Sequence, residues 1–287
     1  MLNPDPTSNF APLTLVLAST GKTGRRVAAR LEQQGLPVRR GSRSAELPFD
    51  WHDATTWAPV LLGVEAAYIV YTPDLAVPAA PAAIRAFTAL ASLCGVRRLV
   101  LLSGRGEVEA QRCERIVQDS ELDWTIVRSS WFSQNFSEGD FHDLVVGGEL
   151  ALPAGDMAEP FIDVEDIADV VVAALTEDGH SGQVYEVTGP RLLTFADAAA
   201  EMTEASGQNV RYRNISHEAF SAGLAEAGVP AEFASLLQYL FRTVLDGRNA
   251  HVADGVERAL GRAPRDFSDF ARDAAATGVW AGAAQEA

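Results

Sequence analysis

A chain of 287 residues with 47% apolar side chains can bury a substantial core in one large domain or two smaller ones. Its net charge of −16 argues against nucleic acid as a partner, because such binding rests on neutralising phosphates with basic side chains. Its apolar runs fall short of the roughly 20 residues that span a bilayer, and two cysteines make neither a disulfide framework nor a metal site.

Residues 1–12, "MLNPDPTSNFAP", read as a loose tail. They lack the basic segment and apolar core of a secretory signal, so a cytoplasmic location is expected. The stretch "LTLVLASTGKTGRRVAARL" follows. Its Gly21-Lys22-Thr23 looks like the end of a P-loop, but the glycine required five residues earlier is replaced by Val16, inside an apolar strand. The residues fit a dinucleotide turn better. Ala18, Gly21 and Gly24 supply three small residues between a buried strand at Leu13–Leu17 and a helix with Val27, Ala28 and Leu31 on one face. Such a helix start presents free N–H groups and a positive dipole end to a pyrophosphate. Ala18, Thr20, Gly21, Lys22, Thr23 and Gly24 are therefore candidate cofactor residues. A tight turn without a ligand is the plainer alternative.

"LPVRRGSRS" reads as a second strand and its exit loop, and "EAAYIVYTPD" as a third strand. A helix through "AAIRAFTALASLCGV", the strand "RRLVLLSG", a helix from Glu107 to about Asp119 and the strand "LDWTIVRSS" complete the alternation. Cys94 reads as a core residue beside Leu90 and Leu93, whereas Cys113 stands among charged residues in a setting that suits the surface. Short buried strands alternating with helices predict an α/β fold with a Rossmann-type, doubly wound parallel sheet. The dinucleotide-binding domain is expected to span residues 13–146. Residues 147–287 are expected to form a smaller, mostly helical substrate lobe, with some elements returning to the sheet. There "DVEDIADVVVAALTE" is an amphipathic helix capped by Asp163, "GQVYEVTG" is a strand, Thr194 caps a further helix, and "NVRYRNI" is a short strand.

These motifs together resemble the NmrA-like atypical short-chain dehydrogenase/reductases, whose plan is similar to that of triphenylmethane reductases and NAD(P)H quinone reductases. The carriers are "LVLASTGKTG", "RRLVLLSG", "LDWTIVRSSWFSQNF" with its Arg-x-x-x-Phe-x-x-Asn pattern, "FIDVEDIADVVVAAL" and "YEVTGPRLLTFADAAAEMTEASGQNVRYRNIS". The resemblance covers nearly the whole chain. It implies that Asp50, after a short strand "LPF", meets the adenine, although a turn or cap aspartate reads equally well. It places Tyr71, Thr72, Ser103 and Gly104 along the cofactor, and Trp131, Phe132 and Asn135 near its nicotinamide end. Tyr71, Trp131, Phe132, Asn135 and Tyr239 are the candidate substrate contacts. Some relatives are enzymes and others are redox sensors that bind a protein partner.

Two departures stand out. The family usually has glycine where this chain has Ala18. The Tyr-x-x-x-Lys pair of typical short-chain dehydrogenases is missing from "EVEAQRCERIVQ", which has neither tyrosine nor lysine. No catalytic acid is assigned, and ketone reduction through such a tyrosine is excluded. After the second strand the chain has Arg39, Arg40, Ser42 and Arg43 where an NAD site would place an acidic residue, which favours NADP(H) over NAD(H). A solvated basic loop is the alternative there. The expected function is hydride transfer from NADP(H) to a small aromatic or quinone-like molecule, with a homodimer as the candidate assembly. The rival readings are a non-catalytic NADP(H) sensor and a cofactor-independent lyase or isomerase on the same fold.

Overall fold

The computed structural model describes residues 12–139 and 141–281; the expected N-terminal tail, apart from Pro12, lies outside them. The first half alternates strand and helix: β1 (Thr14–Leu17), α1 (Lys22–Gln33), β2 (Val38–Gly41), α2 (Trp57–Leu61), β3 (Ala66–Ile69), α3 (Ala80–Leu93), β4 (Arg98–Gly104), α4 (Val108–Gln118) and β5 (Asp123–Ser129). Two short helices follow, α5 (Asn135–Glu138) and α6 (His142–Val146), and then the strands β6 (Glu149–Leu152) and β7 (Ala158–Glu159). Next come α7 (Val164–Thr176), β8 (Gln183–Val187), β9 (Leu193–Thr194), α8 (Phe195–Ser206) and β10 (Arg211–Asn214). The chain closes with α9 (His217–Glu226), α10 (Ala231–Tyr239) running into a π-helical turn at Leu240–Val244, α11 (Gly255–Leu260) and α12 (Phe267–Ala276).

Six strands form one parallel sheet in the order β2-β1-β3-β4-β5-β8. Strand alternation divides the core into two layers. Leu15, Leu17, Ala67, Ile69, Leu99, Leu101 and Ile126 face α2, α3 and α4, packing on Phe87, Trp57 and Val117. Val16, Tyr68, Val100 and Val127 face α1, α7 and α11, packing on Val27, Leu31, Ile167 and Val171. A third cluster, rich in phenylalanine, joins α5, α6, α8, α10 and α12 around Phe136, Phe195, Phe241, Phe267 and Trp280.

Residues after 147 serve both regions. β8 pairs with β5 at the sheet edge, and α7 lies on the sheet against α1. Asp163 caps α7 by accepting the Glu165 N–H at 2.8 Å. Thr194 caps α8 through a reciprocal pair with Asp197. β10 instead pairs with β6 in a separate two-stranded sheet.

Two local expectations are corrected. The segment 47–49 is no strand. It loops back so that the Phe49 N–H donates to the Ser42 carbonyl, and Asp50 forms only an isolated bridge with Asp53. Cys113, expected near the surface, is fully buried, while Cys94 sits half-buried at the margin of the same layer. Helical spacing explains the first case, because Ala110, Cys113 and Val117 share the inward face of α4 despite their charged neighbours. Burial pushes the Cys113 thiol up to about 12.

Candidate active site

The direction of strand order reverses between β1 and β3, since the chain moves from β1 to β2 on one side and to β3 on the other. Ligands of open α/β sheets sit at the carboxyl ends of strands at such a point. A cleft opens there, and its two adjoining cavities measure about 500 and about 380 Å³. Both are bounded by Ala18, Thr20 and Gly21 after β1 and by Thr72 and Pro73 after β3.

The floor of the cleft is the glycine turn. Ala18 turns the chain at φ 48°, and its carbonyl accepts the Gly21 N–H at 2.8 Å. A Cβ on Gly24 would overlap the Ala18 carbonyl and lie 2.8 Å from the Leu17 oxygen, so α1 packs this closely on β1 only with glycine there. Gly21 caps α1 without a side-chain hydrogen bond, and the first turn carries no acidic residue. A helix start of this kind presents backbone N–H groups and a positive dipole end to an anion. Thr20, Lys22 and the largely buried Thr23 line the cleft. The turn therefore fits a dinucleotide pyrophosphate, with Ala18 taking up the left-handed geometry that glycine usually supplies.

The arginines of β2 separate. Arg39 donates to the Val60 and Leu62 carbonyls on the far side of the sheet. Arg40 is clamped by Glu32, with both guanidinium bonds at 2.7–2.9 Å, and does not line the cleft. Ser42 and Arg43 do line the smaller cavity, together with Asp50 and Trp51. The Asp50 carboxylate accepts the His52 N–H at 2.9 Å. Tyr71 is buried against Trp51, with ring centroids 4.9 Å apart, and burial raises its hydroxyl pKa.

Ser103 and Gly104 reach the larger cavity from the end of β4. The Ser103 hydroxyl is committed: it donates to Glu114 at 2.6 Å, and Arg128 holds the same carboxylate. Trp131 and Phe132 line the cavity from the loop after β5, and Asn135 from the start of α5. Lys22 donates to the Asn135 amide oxygen at 2.9 Å, tying the glycine turn to the far end of the cleft. Trp131 packs against Phe141 and Phe241, which joins the cavity to the aromatic core of the second region.

Tyr239 does not reach the wall. Phe233, Leu236, Leu237, Leu240 and Val244 form the apolar roof, and position 239 falls off the face that this spacing defines. Its hydroxyl is instead hydrogen-bonded by the backbone of Val108. The sequence reading missed this roof, and it missed a pair of carboxyls on the wall, Asp74 and Glu107. A signal for the pair was present: an acidic residue follows shortly after the glycine that ends a strand at the cleft. Among the described residues, no group of three or more His, Cys, Asp or Glu side chains could hold a metal.

The family model for NAD(P)H-binding domains matches residues 18–178. The chain belongs to this NAD(P)H-binding family. The match begins at Ala18 and runs through α7, so it contains the glycine turn and the ends of β3 and β4. The resemblance to NmrA-like atypical short-chain dehydrogenase/reductases agrees with it. The chain is 31% identical to an NAD(P)H azoreductase of Xenophilus azovorans, over 92% of this chain and 98% of that one. It is 32% identical to an agroclavine dehydrogenase of Claviceps fusiformis, over 90% and 96% respectively. In fold it is similar to an NADPH-dependent quinone oxidoreductase from Escherichia coli solved with NADPH. The TM-score is 0.73 at 22% identity, covering 91% of this chain and 99% of that one. Like these full-length relatives, this NAD(P)H-binding protein is an oxidoreductase.

Proposed function

We propose that the protein is an NADPH-dependent reductase that passes hydride to a small, flat, apolar acceptor of aromatic or quinone-like character. The observation that carries this reading is the continuity of the cleft. An anion cradle lies in its middle, Ser42 and Arg43 lie on one side, and an aromatic and aliphatic chamber lies on the other. The first turn of α1 would hold the pyrophosphate. Ser42 and Arg43 would take the 2′-phosphate, since a guanidinium forms charge-assisted bonds to phosphate oxygens. Asp50 would meet the adenine edge. Asn135, held by Lys22, would orient the carboxamide end.

When bound there, the reduced nicotinamide supplies the hydride. The protein's own contribution is position and dryness. The roof at Phe233, Leu236, Leu237 and Leu240 covers the chamber with side chains that compete for no hydrogen bond. Trp131 and Phe132 offer ring surface to a planar acceptor. Names of relatives support a broad acceptor class, including an azo compound for one and a quinone for another. Steady NADPH oxidation with a panel of quinones and azo dyes tests the reading. Saturable NADPH binding with no turnover on any acceptor would favour a sensor instead.

A further inference from the structure

Glu107 and Asp74 stand together on the cavity wall, one just before α4 and the other in the loop after β3. Glu107 is 7% exposed. Its carboxyl group folds over the strand end, within 2.1–2.5 Å of where a Cβ on Gly104 would stand. The Glu107 Oε2 has no donor partner in the surrounding protein. Asp74 accepts the Ala76 N–H at 2.7 Å, and its carboxyl lies within hydrogen-bonding reach of Glu107. Two ionised carboxylates cannot bond to each other. The pair is satisfied only when one carboxyl holds a proton and donates it to the other.

The other groups around the pair favour a proton on Glu107. Burial, the charge of Asp74 and that of Glu114 all push its pKa well above the usual carboxyl range. Glu114 is itself bound by Arg128 and Ser103, Cys113 lies near Asp74, and Tyr239 approaches from α10. Asp74 is raised by burial too, but the bond from Glu107 and the Ala76 N–H favour its charged form.

We propose that Glu107 is the proton donor of this site, with Asp74 as the residue that holds and orients its proton on the cavity wall. The inference rests on the hydride-transfer reading above. The acceptor takes two electrons and one hydrogen as hydride at the expense of the reduced nicotinamide. The Glu107 O–H bond breaks, and its proton joins the heteroatom on which negative charge develops. The Glu107 carboxylate then regains a proton from solvent. This assignment widens the acceptors from quinones to unsaturated ketones and imines, whose products need a proton as they form, without the missing tyrosine.

The test uses the whole chain in two states. In a Glu159→Gln background, which removes the other buried carboxyl raised toward neutrality, infrared spectra of the cofactor-free protein, titrated with pH, should show a protonated carboxyl band persisting above neutral pH. Glu107→Gln should remove that band, and Asp74→Asn should move its loss to lower pH. With NADPH and an unsaturated ketone, Glu107→Gln should lower kcat/KM by about 10²- to 10⁴-fold, while calorimetry shows NADPH affinity preserved. A band that survives Glu107→Gln, or kcat/KM unchanged in that variant, would overturn the proposal. Should Glu107→Gln not fold, the Asp74→Asn titration decides, and an unmoved band contradicts the pairing. Wild type that never saturates with NADPH contradicts the cofactor reading and takes the proton transfer with it. Saturation with an unchanged rate contradicts the proton donor alone.

Discussion

The carbonyl of Ala18 occupies the space that a side chain on Gly24 would need, and Ala18 itself stands in the left-handed region at φ 48°. For a residue with a Cβ that conformation costs about 1–2 kcal/mol, part of which glycine would return as unfolded-chain entropy. Ala18→Gly should therefore stabilise the fold by roughly 1 kcal/mol or less and tighten NADPH modestly, with turnover retained. Gly24→Ala should instead destabilise by about 1–3 kcal/mol through overpacking. Urea unfolding of both variants checks the pair of signs.

Gly21 supplies the second contrast at the same turn. It has φ −80°, and a Cβ there would lie 3.2 Å from the Ala18 oxygen. Gly21→Asp should thus fold, yet place a carboxylate against the N–H groups that would hold the pyrophosphate. Intrinsic-fluorescence titration should show NADPH binding abolished. Unchanged affinity in a folded variant would remove the phosphate site from this turn.

Cofactor choice should depend on Arg43 and not on Arg40. Arg43 lines the cavity beside Ser42, whereas Arg40 is occupied by Glu32. Losing a charge-assisted bond costs roughly 1.5–3 kcal/mol, about tenfold or more in affinity. Arg43→Glu should weaken NADPH by that factor relative to NADH, and Arg40→Glu should leave the ratio nearly unchanged. Calorimetric titrations with both cofactors would expose an equal loss, which would misplace the 2′-phosphate.

The reading from sequence reached the sheet and the turn because both are local patterns. Leu15 and Leu17 alternate with Val16 onto two faces, and Gly21 and Gly24 lie within one turn of each other. Asp163 and Thr194 stand at the starts of apolar helical stripes and cap them as read. The fate of Arg40 was hidden, since strand alternation and the position of Glu32 on α1 decide it together. Cys113 misled because its sequence neighbours are charged, whereas its helix-face neighbours are Ala110 and Val117. Glu107, placed shortly after the glycine that ends β4, could be singled out from its position, but its pairing with Asp74 depends on contact between residues far apart in the chain.

Stability should fall as pH rises through neutrality, and Glu159 is one source. Its carboxyl is 1% exposed with both oxygens unpaired, and burial pushes it from 4.5 up to about 7. A raised folded value means that the native state binds more protons than the unfolded chain between these limits. That contribution is fully present below about 4.5 and is lost as pH climbs through about 7. At about 1.4 kcal/mol per unit, the loss reaches at most roughly 3.5 kcal/mol. Glu107 and Asp74 are shifted in the same direction and extend the decline. Denaturant unfolding at a series of pH values should show this slope, and Glu159→Gln should flatten it.

Calorimetry of the wild-type protein with NADPH, and then with NADH, tests the proposed function most directly. Saturable binding, tighter for NADPH than for NADH, is the predicted result. No heat and no competition at millimolar cofactor would contradict it, and would leave the cleft to a reaction that needs no dinucleotide.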